Sequence, residues 1–470
     1  MPSDEIKKYC DTVCAQIRWK KARNAAAQEI WDHICDQRDD YIARGDDEET
    51  AAKKAVSQMG DAVAVGSELD KVHRPKPQWI MIALTGTLML IGMLANYFMD
   101  VSGYAQLHFA IFPFIASAAV FLLCYCLDFT VLGKYPISIY FITLAVSMMM
   151  VLPGRMMNGR IVWYVAGFRI DPVYLSLVYP LAYSLLVYAM RDRGYAGIIF
   201  CGMGYIPFAV ILGLIPSASG LALFTLSALI VLCFAVIKGW FGENKRNYLL
   251  LIALPAACIA MILFAARSSY IIGRVSTVID PYSKRTGEGY VVSLVRDLLG
   301  SSKFIGRGSM PAAYAGGIPK MSVYSTDFML TILTHSMGWI VFIGISAIVA
   351  VFACLGLRKV ARQKSVLGSL VSLSVMLTFV LQSLSYIMGN AGYGVMSSIS
   401  LPFISYGKMA LLINSALIGF MLSVFRTGDE FKDGAGSLPG HRPLFSLEGG
   451  RLIIDLKGGR RCSLTKKYCP

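Results

Sequence analysis

The sequence predicts an all-α, polytopic membrane protein of about ten transmembrane helices, preceded by a small cytoplasmic helical bundle. Three observations predict it. Of 470 residues, 56% are hydrophobic and only 16% are charged, with a mean hydropathy of +0.58; soluble domains are far more polar. Apolar runs near the ~20 residues that a bilayer crossing needs recur from residue 78 onward. Lys and Arg gather in alternate loops between those runs, as the positive-inside rule expects.

Residues 1–76 read as a separate cytoplasmic domain. Glu5–Gln16, Ala22–Ala43 and Glu48–Met59 carry apolar residues at helical spacing, and Gly45-Asp46-Asp47 and Gly60-Asp61 punctuate them. The segment is similar to the permease-prefix type of helical domain that precedes the membrane part of many Firmicute proteins, a likeness that implies no chemistry. Pro75-Lys76-Pro77 is a stiff linker. No signal peptide precedes the first apolar run at Gln78, which is expected to remain as an uncleaved anchor. The 11 cysteines form no framework. Cys10 and Cys14, like Cys462 and Cys469, lack a second ligand pair, so reduced thiols are expected rather than a zinc site.

The apolar runs fall at 78–100, 107–127, 135–153, 172–190, 197–215, 220–238, 247–266, 325–356, 366–393 and 401–425, within a membrane domain of residues 77–426. With the N-terminus inside, the inner loops carry Lys134, Arg191, Arg193, Lys245, Arg246 and the Arg358–Lys364 cluster, and both termini are cytoplasmic. The net charge of +15 thus belongs to membrane topology and anionic lipid, and no nucleic-acid partner is expected. Residues 427–470 form a basic, Gly-rich cytoplasmic tail in which Gly449-Gly450 and its neighbours suit either a short strand pair or a disordered segment. One outer loop breaks the charge rule. Residues 267–324 hold Arg267, Arg274, Lys284, Arg285, Arg296, Lys303, Arg307 and Lys320 against Asp280, Glu288 and Asp297. That excess suits contact with anionic headgroups or a cradle for a phosphorylated substrate.

No Walker loop, dinucleotide fingerprint, nucleophile elbow or metal motif occurs, and mid-membrane carboxylate pairs of the kind that couple transport to protons are lacking. One carboxylate stands out. Asp327 lies in Ser325-Thr326-Asp327-Phe328, where the long outer loop re-enters the membrane.

Ordered segments in this chain resemble the SEDS family, the RodA, FtsW and SpoVE group. They are Gly159-Arg160-Ile161-Val162-Trp163 with Gly167-Phe168 and Pro172; Asp280-Pro281 with Gly287-Glu288-Gly289-Tyr290; the glycine-rich stretch Gly300–Gly308; Pro319 with Ser325–Phe328 and Gly338; and Leu401-Pro402-Phe403-Ile404-Ser405-Tyr406-Gly407. The resemblance covers about residues 80–426. It implies a ten-helix glycosyltransferase that polymerises the peptidoglycan precursor lipid II, with a class B penicillin-binding protein as partner for crosslinking. It places the catalytic aspartate on Asp327, the outer-loop tryptophan on Trp163, and a signature of structural weight on Pro402, Phe403, Tyr406 and Gly407. The chain departs from the family at several points. Asp171-Pro172-Val173-Tyr174 replaces Gln-Pro-Ser-Glu, Pro216–Gly220 lacks the usual acidic residue, and His335-Ser336 stand near where paired glutamates are usual. Gly407-Lys408-Met409-Ala410 replaces Gly-Gly-Ser-Ser, and the family's ninth-helix asparagine aligns with Tyr386.

The chemistry so implied needs a base for the attacking hydroxyl and positive charge for a departing polyprenyl pyrophosphate. Asp327 is the candidate base, and Arg160, Arg274, Arg307 and Lys320 are candidate phosphate ligands. Glu288 is a second candidate acid, and His335 reads as a packing residue. A divalent cation, Mg or Mn, could bridge Asp327 and phosphate, held mostly by substrate and water. Bland readings stand beside these: Asp327 as a helix N-terminal charge with Ser325 and Thr326 as caps, and Trp163 as an interfacial anchor. Two rival functions stay open, a flippase for a lipid-linked precursor and a catalytically weak scaffold of division or sporulation.

Overall fold

Helix dominates wherever the backbone is placed. The computed structural model describes the chain except residues 1, 73–74, 76, 103–109, 158–159, 166–167, 216, 286, 312–326, 396–398, 406, 429–444, 449–450 and 455–470. Two compact units emerge, residues 78–428 and residues 1–77 with 429–470.

The N-terminal unit has four helices, Pro2–Gln16, Lys20–Ala43, Glu48–Gln58 and Ala62–Val72. Its core joins Ile6, Val13, Ile30 and Ile34 to Ala52 and Ala55, whose small side chains let the third helix close on the first two. The fourth helix was not foreseen. Asp61, read as punctuation, accepts a hydrogen bond from Ala64 N at 3.0 Å and so starts a new helix. Gly66 then presses that helix on the first, where a Cβ would stand 2.8 Å from Val13 O. In the tail, Phe445–Glu448 pairs antiparallel with Arg451–Ile454, the strand-pair alternative of the two readings above.

In the second unit, seven helices are long and apolar enough to cross a membrane: Trp79–Val101, Pro172–Met190 (opened by a 3-10 turn), Gly194–Leu214, Ala218–Ile237, Trp339–Ala361, Val366–Asn390 and Lys408–Thr427. Phe112–Cys126 and Pro136–Val151 are shorter apolar helices, and Lys245–Ile279 is a helix of 35 residues. The chain is therefore a multi-pass membrane protein. Burial sorts the helices. Val366–Asn390 is 83% buried and Pro172–Met190 78%, whereas Trp339–Ala361 is 28%. The first two are the centre of the bundle, and the last turns most of its surface to lipid. Small residues set the close crossings. Gly419 would bring a Cβ to 2.7 Å from Phe121 O, and Ser117 bonds Ser415 across the same pair of helices.

Three expectations about the membrane unit change. The run 325–356, taken as one long crossing, divides into a short buried helix, Met329–Met337, and the crossing Trp339–Ala361. The break is Gly338, at φ +109, with Phe304 O and Ile305 Cα 2.5 and 2.8 Å from where its Cβ would stand. Hydropathy ended the seventh crossing at 266 and opened the outer loop at 267. Lys245–Ile279 instead continues as helix, about 50 Å long at ~1.5 Å per residue, and overshoots the ~30 Å hydrocarbon core. Arg267 and Arg274 are thus helical, not loop, residues. Finally, the second outer loop folds into a three-stranded antiparallel sheet, Arg155–Met157, Arg160–Val165 and Phe168–Ile170.

Gly338→Ala should lower stability in detergent by roughly 1–3 kcal/mol through overpacking alone, because backbone, not a flexible side chain, occupies the space. An unchanged thermal midpoint would contradict this reading of the break.

Candidate active site

Asp327 is 5% exposed and stands two residues before the Met329–Met337 helix. That helix rests on Ala95 and Met99 of the first crossing and on Leu294 and Leu298 of the Tyr290–Gly300 helix. Its N-terminus faces the end of the central crossing. Asn390 Nδ2 donates to Asp327 O at 2.9 Å and to Tyr386 O at 3.0 Å. Asn390 Oδ1 accepts from Thr331 N and Thr331 Oγ1, each at 3.0 Å. The Tyr386 side chain is buried beside the same helix start and feels the Asp327 charge. Asn390 therefore serves one of the amides that a helix start leaves open, that of Thr331. The N-cap position itself is Phe328, which makes no side-chain cap bond. Asn390 thus caps this helix start from another crossing, while Ser325 and Thr326, the caps expected from sequence, lie outside the described residues.

Asn390 is the residue that motif reading missed. The family asparagine aligns with Tyr386, and Asn390 follows one helical turn later. Its signal was available as an amide at i+4, on the same face, inside an apolar run.

Within the Leu401–Gly407 signature, Leu401–Ser405 form a tight turn ahead of the last crossing. Leu401 N donates to Ser405 Oγ at 2.9 Å, and Asn96 of the first crossing donates to Ile404 O at 2.9 Å. Gly92 is forced by this approach, since a Cβ would stand 2.0 Å from Phe403 O. Phe403 is buried at φ +64, a left-handed conformation that costs a bulky residue about 1–3 kcal/mol. Pro402 is buried beside it. Gly407 lies against Tyr174, whose hydroxyl is 3.3 Å from the glycine's ideal Cβ position. Tyr174 belongs to the turn after the outer sheet, so the second outer loop reaches this signature. Tyr406 lies outside the described residues.

The remaining candidates are dispersed. Trp163 is half-buried in the central strand of the outer sheet, paired with Ile170. Arg160 opens the same strand opposite Met157. Arg274 is exposed on the overshooting end of Lys245–Ile279. Arg307 is exposed in the loop after Gly300, and Lys320 lies outside the described residues. Glu288 is exposed and pairs loosely with Lys284 at 3.9 Å. His335 is buried, with Nδ1 3.2 Å from Leu298 O, a packing role.

Two cations of the loop are already engaged. Arg285 pairs with Asp297, which also accepts from Tyr282 OH at 3.1 Å. Burial first, then the hydrogen bond to Asp297, raises the Tyr282 phenol above its ordinary range. Arg296 donates to Gly392 O at 3.1 Å, bonds the last carbonyls of Lys245–Ile279, and lies over the Tyr393 ring. It ties that helix end to the loop after the central crossing and is structural, not a phosphate ligand. The Asp280-Pro281 and Gly287–Tyr290 segments are likewise one packed turn, because a Cβ on Gly289 would stand 2.2 Å from Pro281 O. Among the described residues, no group of three or more His, Cys, Asp or Glu is placed to hold a metal ion.

Comparison with known proteins agrees on one family. The FtsW, RodA and SpoVE model, described as "Cell cycle protein", matches residues 75–429. A probable peptidoglycan glycosyltransferase FtsW of Haemophilus ducreyi is 24% identical over 369 residues, 74% of this chain and 88% of that protein. The corresponding Geobacter protein is 26% identical, over 63% of this chain and 80% of its own length. Among solved structures, a chain of a peptidoglycan synthase complex that coordinates polymerization and crosslinking superposes with a TM-score of 0.59. It shares 18% identity over 76% of this chain and 99% of that one. The Rod shape determining protein RodA of Thermus thermophilus gives a TM-score of 0.50 at 16% identity, over 76% and 98% of the two chains.

Proposed function

The chain belongs to the FtsW, RodA and SpoVE family of cell cycle proteins, and on that premise we propose that it polymerises lipid II into glycan strands at the outer face of the cytoplasmic membrane. Asp327 is the general base. The observation that carries this reading is a buried carboxylate, Asp327, whose own backbone and the helix start beside it are held by Asn390.

In the proposed reaction, a sugar hydroxyl of one lipid-linked substrate attacks the anomeric carbon of another. The new glycosidic C–O bond forms as the bond to the polyprenyl pyrophosphate breaks, and the hydroxyl proton passes to Asp327. The leaving pyrophosphate takes the electron pair and needs positive charge. Arg274, Arg160 and Lys320 are the cations assigned to it, and Trp163 to the substrate beside it. A divalent cation, Mg or Mn, would take most of its ligands from substrate oxygens and water, with Asp327 as a protein ligand.

The positive-inside pattern supports an outer site and cytoplasmic termini. Crosslinking would come from a class B penicillin-binding protein, a proposal that follows the synthase complex with which the fold is shared. The central crossing argues against a carrier. Its buried Ser372, Ser374 and Thr378 donate to carbonyls of their own helix, Gly368, Val371 and Ser374, instead of lining a polar path.

The test is purified protein, with and without such a partner, supplied with labelled lipid II. Wild-type protein should yield polymer that Asp327→Ala abolishes. No polymer with any partner, or equal polymer from the variant, would reject the reading.

A further inference from the structure

The loop after the Tyr290–Gly300 helix turns across the Trp339 end of the Trp339–Ala361 crossing. Backbone bonds fix it there. Trp339 N donates to Lys303 O at 3.0 Å and Ile340 N to Phe304 O at 3.2 Å. Gly306 N donates to Met337 O at 2.8 Å, and Gly308 N to His335 O at 2.7 Å. The turn thereby satisfies the first amides of a membrane helix, which would otherwise be orphaned. Gly338 leaves no room for it to slide, since Phe304 O and Ile305 Cα lie against that glycine.

A backbone held so firmly would be expected to bury its large apolar side chains. It does the opposite. Phe304 is 65% exposed and Ile305 67%. Burying a side chain of that size is worth about 1.5–3 kcal/mol, so two in succession on a rigid turn call for an apolar partner. The crossing beneath them supplies the context. It is the span turned most toward lipid, and Ile340 and Ile343 are exposed next to the turn. Lys303 precedes the apolar pair and Arg307 follows it, both exposed. Exposed apolar side chains flanked in sequence by exposed cations, at the end of a helix only 28% buried, match the boundary between acyl chains and anionic headgroups.

We propose that residues 303–307 are an interfacial anchor: Phe304 and Ile305 insert into the acyl boundary of the bilayer while Lys303 and Arg307 engage anionic phospholipid headgroups. Arg307, a pyrophosphate candidate from sequence, is reassigned to the bilayer. The anchor fixes the height at which the outer loop meets the membrane, because the same turn is bonded to the helix that Asp327 precedes.

Phe304→Trp in full-length protein, reconstituted in vesicles with brominated phospholipids, tests insertion. The six native tryptophans are subtracted by parallel wild-type measurement. The added emission should be quenched strongly by bromines near the headgroup end of the acyl chain and weakly by aqueous iodide. Dominant iodide quenching would overturn the proposal. So would emission that becomes shielded only when a penicillin-binding protein is added, which would make the turn a protein-docking site. Ile305→Trp gives the same readout should Phe304→Trp fold poorly. Headgroup contact is read separately. The wild-type thermal midpoint should rise when phosphatidylglycerol replaces phosphatidylcholine in nanodiscs, and Lys303→Gln with Arg307→Gln should lose that rise. An equal rise in the double variant would reject the headgroup assignment.

Discussion

Asn390→Leu should reduce lipid II polymerisation at least tenfold and lower thermal stability in detergent. Leucine keeps the number and branching of the side-chain heavy atoms but is bulkier, so some overpacking adds to the loss. What goes is the amide. Thr331 N loses its acceptor and Asp327 O loses its donor, both in a buried site. An unsatisfied buried group costs about 1–3 kcal/mol, and two such groups at one helix start put the effect on stability at roughly 2–5 kcal/mol. The effect on activity comes from position. Asn390 fixes the backbone of Asp327, and a 1 Å displacement of a reacting group can cost about 10²-fold. Asn390→Asp keeps an acceptor for Thr331 but has no amide donor for the Asp327 carbonyl, so it should lie between wild type and the leucine variant. Full polymerisation by Asn390→Leu would mean that Asp327 is held by other means.

Much of this site was legible in the sequence because it rests on local chemistry. A carboxylate at the edge of an apolar run, Asp327, is conspicuous wherever the fold puts it. The Pro402–Gly407 signature read as structural; in the fold Phe403 there is left-handed, Ile404 O accepts from Asn96, and Phe403 O lies against Gly92. The crossings with uniform apolar character, such as Ala218–Ile237, needed only length and hydropathy.

What escaped depends on contacts between distant segments. Gly338, though part of the family resemblance, gives no sign of a helix break until Phe304 is laid against it. Lys245–Ile279 outruns its hydropathy, because helix continues past the last continuous apolar run where its end is tied down, here by Arg296. Arg296 itself was counted with the loop's phosphate candidates, and only the fold reveals that backbone carbonyls take its donors. The outer sheet was invisible for a related reason. Arg160–Val165 is a strand of only 6 residues, and its two partners have 3 each, too short for any period to register. Asn390 was overlooked because the motif directed attention to Tyr386, one turn away.

The central claim is that Asp327 accepts a proton, not merely that it is present. Asp327→Asn separates the two. Asparagine keeps the size and the capacity to hydrogen-bond but cannot serve as a general base, a role that contributes about 10²–10⁴-fold. The decisive measurement compares wild type and Asp327→Asn in the same nanodiscs, recording lipid II binding and polymer formation on the same samples. The prediction is retained binding with polymer reduced by about 10²-fold or more. Polymer formation by Asp327→Asn at the wild-type rate would contradict it.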